Sequence, residues 1–472
     1  INRVVEPVFN SNYGEIYYIN LSNDKHKLGG SSFAQTLGKV GQETPTIQNS
    51  NLVINIFNTI QNLIRKDMII AGHDIGSGGL ITTILEMCFA ENNLGADIDF
   101  SLINEKDSIK LLFSENPAIV IQAKDKSVEK VFKDKGINYY KIGNVTTNKN
   151  ISIKNHLDTY QIDVEEYRDY WFKTSMLLDK KQTANNLSEI RYRNYKNQPL
   201  DFKFPINFSG KIPRIEEIKN KPKAAVIREK GSNSERELAN ALFLAGFQVK
   251  DIHMTDLISG RENLEDVQFI GAVGGFSNSD VLGSAKGWAG AFLYNKKAKE
   301  SLNNFISRED TLSIGICNGC QLFMELEVIN PEHEIHGKMT FNNSNKHESG
   351  FTSVNIQKNN SIMLSSLEGC NLGVWISHGE GKFSLPYSED KYNIVSKYTY
   401  KDYPSNPNGS DYNIAMMSTT DGRHLVTMPH IERSIFQWNW ANYIKERNDE
   451  VSPWIEAFIN ARNWITSYNS IK

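Results

Sequence analysis

Long apolar runs, excess charge of either sign and a signal peptide are all missing from this sequence. No apolar stretch approaches the roughly 20 residues that cross a bilayer. The start, INRVVEPVF, lacks the basic and apolar regions of a secretory signal. The formal net charge of −3 leaves no basic surplus to attract nucleic acid or an anionic membrane. We therefore expect a cytoplasmic protein with neither nucleic acid nor membrane as a partner.

Cysteine is also scarce, with four residues in a chain of 472. They are too few and too scattered for a disulfide framework, so we expect reduced thiols. Cys317 and Cys320 form a CxxC pair, which is compatible with a redox couple or half of a zinc site. No second CxxC or histidine pair lies at zinc spacing, and the usual context of a thioredoxin-like motif is missing. Both interpretations are weak, and an ordinary buried cysteine remains an alternative.

The segment GICNGCQ, residues 315–321, places a cysteine where a strand turns into a helix. DTLSIGI predicts a short strand upstream, and CQLFMELEVI predicts a helix downstream, with apolar residues at helical spacing. Gly315 and Gly319 lack a Cβ, so the chain can pack tightly on both sides of a strained turn. The positive end of the helix would favour a thiolate at Cys317. Cys317 is therefore the predicted nucleophile.

A cysteine nucleophile needs a base, and the base needs a group that orients it. MPHIER, residues 428–433, supplies His430 and Glu432. In an extended segment these two side chains point the same way, because side chains alternate with a period of two. The carboxylate would then hold the imidazole in the tautomer that accepts a proton from sulfur. H-x-E is short and common, so the prediction depends on its joint occurrence with the cysteine elbow.

Attack on a carbonyl creates an oxyanion, which needs preorganised donors. GGFSNSD, residues 274–280, follows a predicted buried strand. Its glycines let backbone N–H groups point inward, so the predicted donors are the amides of Gly275, Phe276 and Asn318. A simple Gly-Gly turn is the alternative interpretation of this segment.

A further Gly-rich segment, SHGEGKF, spans residues 377–383. It puts His378, Glu380 and Lys382 in a loop that is able to line the binding site of a polar substrate. A solvated loop explains the pattern almost as well, so His378 is a candidate substrate-binding residue only.

Pattern changes along the chain predict three segments. Residues 223–472 alternate strand and helix patterns, which indicates an α/β domain with a parallel sheet and function at the carboxyl ends of its strands. Within it, a helix over residues 232–247 is predicted to open with the capping box Ser232-x-x-Glu235. Residues 1–150 predict a separate unit, and residues 151–222 predict a helix followed by a Pro-punctuated linker.

These motifs together resemble the class I glutamine amidotransferases, which have a G-x-C-x-G-x-Q elbow and a distant H-x-E. More narrowly, GGFSNSDVLGSAKGWA, GICNGCQ, HGEGKF and MPHIER resemble the glutaminase domain of the phosphoribosylformylglycinamidine synthase family, large single-chain type. LGGSS, HDIGSGGL and LFSENP resemble the second aminoimidazole-ribonucleotide-synthetase-like repeat of the same family. The implied architecture is an α+β synthetase-like unit followed by a parallel-sheet α/β amidotransferase domain.

The resemblance implies a glutamine-dependent amido-ligase of de novo purine biosynthesis. Members convert formylglycinamide ribonucleotide, glutamine and ATP, with magnesium, to formylglycinamidine ribonucleotide, glutamate, ADP and phosphate. Carried onto this chain, Cys317 attacks the glutamine amide to give a thioester, His430 shuttles the proton, and Glu432 orients His430. Gln321, the last residue of the elbow motif, is implied to bind glutamine. The ammonia is implied to pass through an internal channel to a synthetase site.

The family's transfer site lies mainly in a first repeat that this chain lacks, and formylglycinamide ribonucleotide would meet the enzyme there. The chain also begins in mid-pattern at Ile1 rather than with Met. We therefore expect a piece of a longer enzyme that does not make the ligase product alone.

Four segments depart from the family pattern. GGFSNSD and MPHIER stand where GGFSYGD and MPHPER are commoner, and since backbone donors tolerate side-chain changes, we expect the oxyanion hole to survive. Where the family has HDxSDGG, this chain has Gly76 and Ser77, so one carboxylate is missing. Asp74 is then a lone candidate ligand for magnesium, in what resembles an auxiliary nucleotide site, and binding of ADP there is left open. HESGF has Gly350 where an arginine is usual, and we expect this loss to alter substrate-loop packing or domain contacts.

Three other functions are compatible with the elbow. One is a glutaminase that serves another acceptor, and the synthetase-like unit argues against it. Another is a cysteine hydrolase of γ-glutamyl or peptide bonds, which would not need the unit over residues 1–150. The last is a non-catalytic scaffold, which would require an unreactive Cys317.

Overall fold

Strands and helices alternate along the chain and form two units in the computed structural model, Ile1–Ser175 and Met176–Lys472. The structure describes residues 4–471, except residues 13, 92, 219 and 445. In that described part, every helix is too short or too polar to cross a membrane. The predicted fold class, an α+β unit followed by an α/β domain, is confirmed.

The first unit contains a seven-stranded mixed sheet with helices packed on it. The strands are β1 (Glu15–Asn20), β2 (Ile69–Asp74), β3 (Gly95–Asp99), β4 (Ala118–Ala123), β5 (Tyr140–Thr146), β6 (Asn150–Asn155) and β7 (Asp158–Asp163). The helices are α1 (Ser32–Thr36), α2 (Ser50–Arg65), α3 (Gly79–Phe89), α4 (Ser108–Phe113), α5 (Ser127–Asp134) and α6 (Val164–Asp179). The strand order is β2-β4-β1-β5-β3-β6-β7, and the division between the units falls within α6.

This first unit extends past residue 150, where the sequence pattern placed a boundary. The cause is strand pairing. β6 runs parallel to β3, with Ala96 opposite Ile151, and β7 pairs antiparallel with β6. Residues 150–163 therefore complete a sheet whose other strands lie before them in the chain.

The second unit contains a nine-stranded sheet in the order β14-β13-β16-β17-β18-β11-β10-β8-β9. The strands of this unit are β8 (Lys223–Arg228), β9 (Gln248–His253), β10 (Phe269–Ala272), β11 (Leu312–Ile316), β12 (Lys338–Thr340), β13 (Glu348–Ile356), β14 (Asn371–His378), β15 (Lys382–Ser384), β16 (Asn393–Tyr398), β17 (Ile414–Ser418) and β18 (His424–Thr427). The helices are α7 (Leu187–Asn194), α8 (Glu235–Ala245), α9 (Met254–Ser259), α10 (Lys286–Leu293), α11 (Lys296–Ser307), α12 (Asn318–Glu325) and α13 (Ile455–Ile471). β12 and β15 form a separate two-stranded sheet.

Five neighbouring strands of the large sheet, from β18 to β9, are parallel. Every residue of β10 and β11 is buried, as expected for parallel strands covered by helices on both faces. The chain after each of these two strands emerges at the same edge of the sheet. Since ligands bind at the carboxyl ends of parallel strands, this edge is where a functional site is expected.

The predicted capping box at Ser232 is wrong. Helix α8 begins at Glu235, and its N-cap is Ser234 in the left-handed conformation with φ 74°. The Ser232 hydroxyl instead donates to the carbonyl oxygen of Glu229 (2.7 Å) and accepts from the N–H of Glu229 (3.1 Å). Because that hydroxyl closes a turn before the helix, it does not cap the helix.

Candidate active site

Cys317 lies at the turn between β11 and α12, as predicted. Its backbone has φ 51° and ψ −103°, outside the common regions for a non-glycine residue. The N–H of Cys317 donates to the carbonyl oxygen of Thr427 in β18 (2.8 Å), and the carbonyl oxygen of Cys317 accepts from the N–H of Gln321 (3.0 Å). These bonds hold the strained residue from both sides, at the carboxyl edge of the parallel strands.

The glycines on either side of Cys317 are required by close backbone contacts. A Cβ on Gly319 would lie 2.0 Å from the carbonyl oxygen of Ala272 in β10. A Cβ on Gly315 would lie 2.4 Å from the carbonyl oxygen of Gly319. The start of α12 therefore packs directly on β10 and β11, which no larger residue permits.

We expect Gly319→Ala to destabilise the second unit by about 3 kcal/mol, the upper part of the range for overpacking, because the clash is with backbone. Urea denaturation of the wild-type protein and the variant measures this difference. Gly350→Ala is the matched control, since a Cβ on Gly350 would meet nothing within 4 Å. Equal stability of the Gly319 variant and the control would contradict the close packing of the elbow.

His430 and Glu432 form a buried pair. Nδ1 of His430 lies 2.6 Å from Oε1 of Glu432, and both side chains are almost wholly shielded from solvent. The segment is not extended, as the period-two argument assumed, because Glu432 lies in the 3₁₀ turn Ile431–Arg433. The N–H of His430 donates to the carbonyl oxygen of Trp375 in β14 (2.8 Å), which fixes the start of this turn.

The pair is charged. Burial by itself lowers the pKa of His430, but the Glu432 carboxylate and interactions with Cys317 raise it to about 10. Burial raises the pKa of Glu432, and the nearby imidazolium more than offsets this, so its pKa falls below the usual value. At neutral pH the pair is therefore an imidazolium and a carboxylate.

The structure brings Cys317 and His430 together over Gly274. A Cβ placed on Gly274 would lie 2.6 Å from Cε1 of His430 and 3.4 Å from Cβ of Cys317. The sulfur of Cys317 also lies 3.5 Å from the carbonyl oxygen of Ser377, the residue before His378. The three side chains predicted as nucleophile, base and orienting group thus occupy one site, and the absence of a side chain at Gly274 leaves room for them.

The predicted oxyanion donors are only partly available. The N–H of Phe276 donates to the carbonyl oxygen of Gly231 (3.0 Å), so in this conformation it is not a donor to a substrate, and that part of the prediction is corrected. The N–H of Ser277 donates to Oδ1 of Asn318 (3.1 Å), which ties the Gly-rich loop to the elbow. The backbone amides of Gly275 and Asn318 remain the predicted donors.

Gln321 is engaged at both ends of its side-chain amide. Its Oε1 accepts from Nδ2 of Asn318 (2.7 Å), and its Nε2 donates to the carbonyl oxygen of Glu380 (2.8 Å). The side chain therefore connects the elbow to the loop that follows β14. Its role in binding glutamine stays a prediction.

His378 is predicted to lie in a loop, but in the structure it is the last residue of β14. It is buried, and its Nδ1 lies 3.2 Å from Oδ1 of Asn342. Sequence reasoning missed Asn342, which belongs to an irregular segment between β12 and β13. No periodicity or motif marks it, and its partner lies 36 residues further along the chain. The only available signal was the run of asparagines in FNNSN, which also fits an exposed turn.

Asp74 does not by itself provide a magnesium site. Its side chain is 85% exposed, and its neighbour His73 places Nδ1 3.5 Å from Oδ1. Across the described residues, no group of three or more His, Cys, Asp or Glu side chains is arranged to hold a metal ion. Magnesium usually keeps several waters and is held by one or two carboxylates together with substrate phosphates, so its binding at Asp74 stays a prediction.

Each of the two units matches a known protein family. Residues 221–465, more than half of the chain, match the model for the CobB/CobQ-like glutamine amidotransferase domain. Residues 16–155 match the C-terminal domain of AIR synthase related proteins.

Two curated relatives match nearly the whole chain. A probable phosphoribosylformylglycinamidine synthase from Caenorhabditis elegans is 35% identical over 518 residues, covering 98% of this chain and 39% of that protein. Phosphoribosylformylglycinamidine synthase from Homo sapiens is 34% identical over 492 residues, covering 96% of this chain and 36% of that protein. The chain thus spans well under half the length of these relatives.

Among solved structures, the chain is similar to PurLQS from Thermotoga maritima. The match has a TM-score of 0.40 and 24% sequence identity, and it covers 53% of this chain and 100% of that one.

Proposed function

Because this chain belongs to the CobB/CobQ-like glutamine amidotransferase family, we propose that its second unit hydrolyses the side-chain amide of glutamine with Cys317, His430 and Glu432. One observation carries the proposal. The buried His430–Glu432 pair, 2.6 Å apart, stands beside a cysteine held on a strained strand-to-helix turn. That arrangement fits covalent catalysis by an activated sulfur nucleophile.

In this proposal the reactive state is a Cys317 thiolate beside a His430 imidazolium. The sulfur attacks the side-chain carbonyl carbon of glutamine, and the oxyanion receives hydrogen bonds from the amides of Gly275 and Asn318. As the tetrahedral intermediate collapses, the C–N bond breaks, and His430 gives its proton to the leaving nitrogen, which departs as ammonia. A glutamyl thioester remains on Cys317. Glu432 keeps the imidazolium oriented throughout.

The second half of the reaction uses water. The now neutral His430 takes a proton from a water molecule as that water attacks the thioester carbon. Breaking of the C–S bond releases glutamate and restores the Cys317 thiolate beside the His430 imidazolium. Over the whole cycle the three side chains return to their starting protonation states. The proton that His430 gives to ammonia is replaced by the proton that it takes from water.

We further propose that the ammonia serves an ATP-dependent ligase reaction in purine biosynthesis, with formylglycinamide ribonucleotide as acceptor. The support is the name of the curated relatives and the match of the first unit to AIR synthase related proteins. ATP, magnesium and the acceptor belong to the whole enzyme. Among the described residues, Asp74 is a lone carboxylate outside any cluster of three or more possible metal ligands, so magnesium binding in the first unit also stays a prediction. ADP binding in the first unit, an internal ammonia channel and a cytoplasmic location stay predictions.

A diazoketone analogue of glutamine tests the glutaminase proposal. We expect one label per chain, on Cys317, with protection by excess glutamine, because only an activated thiolate reacts readily. Burial raises the pKa of Cys88 to about 12 and raises the pKa of Cys320 and of Cys370, so these sulfurs stay protonated. Peptide mapping by mass spectrometry locates the label.

Labelling at another cysteine, or none in a folded sample, would count against the assignment. Faster turnover of γ-glutamyl peptides than of glutamine would instead favour a cysteine hydrolase.

A further inference from the structure

Asn342 connects the two ends of the turn that follows β14. Its Nδ2 donates to the carbonyl oxygens of Lys346 (3.0 Å) and His378 (2.7 Å). Its Oδ1 accepts from the N–H of Gly381 (3.0 Å) and lies 3.2 Å from Nδ1 of His378. These contacts fix the orientation of the amide. The flipped orientation would set its NH₂ against the N–H of Gly381 and its oxygen against two carbonyl oxygens.

The contacts of Asn342 also fix the tautomer of His378. Because Oδ1 of Asn342 only accepts, Nδ1 of His378 must carry the proton, and Nε2 keeps its lone pair. Burial lowers the pKa of His378 to about 3, and repulsion from His430 and His347 acts in the same direction, so the ring is neutral at pH 7. His378 therefore presents a hydrogen-bond acceptor at Nε2.

That acceptor is buried and has no hydrogen-bond partner in the described part of the chain. A buried polar atom without a partner is costly, so an acceptor of this kind takes a donor from a ligand or from an ordered water. Its neighbours give the location. His378 directly follows Ser377, whose carbonyl oxygen lies 3.5 Å from the sulfur of Cys317.

We propose that Nε2 of His378 accepts an N–H of the glutamine carboxamide, and that Asn342 is a positioning residue that keeps this nitrogen unprotonated. The inference rests on the glutaminase function proposed above and deepens it. A buried acceptor at this point distinguishes an amide, which has N–H groups to donate, from an ester or a carboxylate, which has none.

The test compares two substrates, L-glutamine and the γ-methyl ester of L-glutamate. Attack of Cys317 on the ester breaks a C–O bond, and methanol leaves with the proton from His430, so the same thioester forms without any N–H on the group that is attacked. His378→Asn keeps a polar group at the position of Nδ1 but has no acceptor at the position of Nε2. His378→Gln, in contrast, has a side-chain oxygen near the position of Nε2, which can still accept a hydrogen bond. We expect His378→Asn to lower kcat/KM for glutamine about tenfold, the effect of losing one hydrogen bond, and to leave the ester nearly unchanged. His378→Gln should retain most of the preference for the amide.

Asn342→Asp tests the positioning residue. A carboxylate beside Nδ1 favours the doubly protonated ring, whose Nε2 donates instead of accepting. We expect the same selective loss with glutamine, about tenfold relative to the ester. Asn116→Asp is the matched control. Asn116 is a buried asparagine of the first unit that donates to Ser22, and its replacement should leave the ratio of the two substrates unchanged even if the protein is less stable.

Equal losses with amide and ester in His378→Asn would overturn this inference, because the residue would then only shape the site. The glutaminase function would survive that result. Absence of turnover with both substrates in the wild-type protein would overturn the glutaminase function and this inference with it.

Discussion

Cys317→Ala is expected to abolish glutamine hydrolysis. Loss of the nucleophile removes the thioester route entirely, and comparable removals in triad enzymes cost at least about 10⁴-fold in kcat. The variant should fold normally. The side chain lost is small, and its position is held by backbone bonds to Thr427 and Gln321, which alanine retains. Release of glutamate from glutamine is the measurement.

The matched control is Cys320→Ala. Cys320 is the other half of the CxxC pair and is fully buried, and burial raises its pKa, so it is not a nucleophile in this mechanism. Glutamine hydrolysis should survive in this variant, which would show that hydrolysis does not depend on a redox couple of Cys317 and Cys320. In a full-length enzyme, Cys317→Ala should still use free ammonia, since the acceptor chemistry does not pass through the sulfur. Equal loss with glutamine and ammonia would point to a structural role for Cys317.

The elbow was predictable because its signals are local. A run of apolar residues, two glycines around a cysteine and a helical pattern lie within one short segment, and each has a steric reason visible in the structure. Gly319 illustrates this, since its Cβ would meet the carbonyl oxygen of Ala272 at 2.0 Å. The proximity of His430 and Glu432 was predicted from an extended segment, and the two side chains meet although Glu432 lies in a 3₁₀ turn instead.

What the sequence did not reveal depends on partners that are distant in the chain. The N–H of Phe276 donates to the carbonyl oxygen of Gly231, so it is not the predicted oxyanion donor. The hydroxyl of Ser232 bonds to the backbone of Glu229, so it does not cap the helix as predicted. The pairing of β3 with β6 extends the first unit beyond the predicted boundary. Asn342 contacts His378, which lies 36 residues further along the chain. Periodicity carries no information about such contacts, so a single sequence leaves them undetermined.

Glu432→Gln is expected to lower kcat for glutamine by about 10² to 10⁴-fold. Glutamine at this position keeps the shape and can still accept a hydrogen bond from Nδ1 of His430. It carries no charge, however, so it no longer stabilises the imidazolium that gives its proton to ammonia. The control is Glu237→Gln. Glu237 lies 3.5 Å from Arg433, is partly exposed, and should leave kcat within about twofold, as surface substitutions usually do.

The same variant should change the pH dependence of stability. The pKa of His430 is raised from 6.5 to about 10 in the folded protein, so its stabilising effect is complete below pH 6.5 and disappears as the pH rises through about 10. The pKa of Glu432 is lowered, so its effect is present above its unfolded value of 4.5 and is lost as the pH falls through the lower folded value. The free energy of unfolding of the wild-type protein should therefore exceed that of Glu432→Gln most between pH 4.5 and 6.5.

We expect that excess to be about 3 kcal/mol, the lower end of the range for breaking a buried pair, because His430 can release its proton when the carboxylate is gone. Urea denaturation of both proteins across this pH range gives the two curves, and they should converge towards pH 10. A constant difference at every pH would mean that Glu432 acts through packing alone. A difference that grows with rising pH would show that His430 is neutral in the folded protein, and the imidazolium could not then be the group that protonates the departing nitrogen.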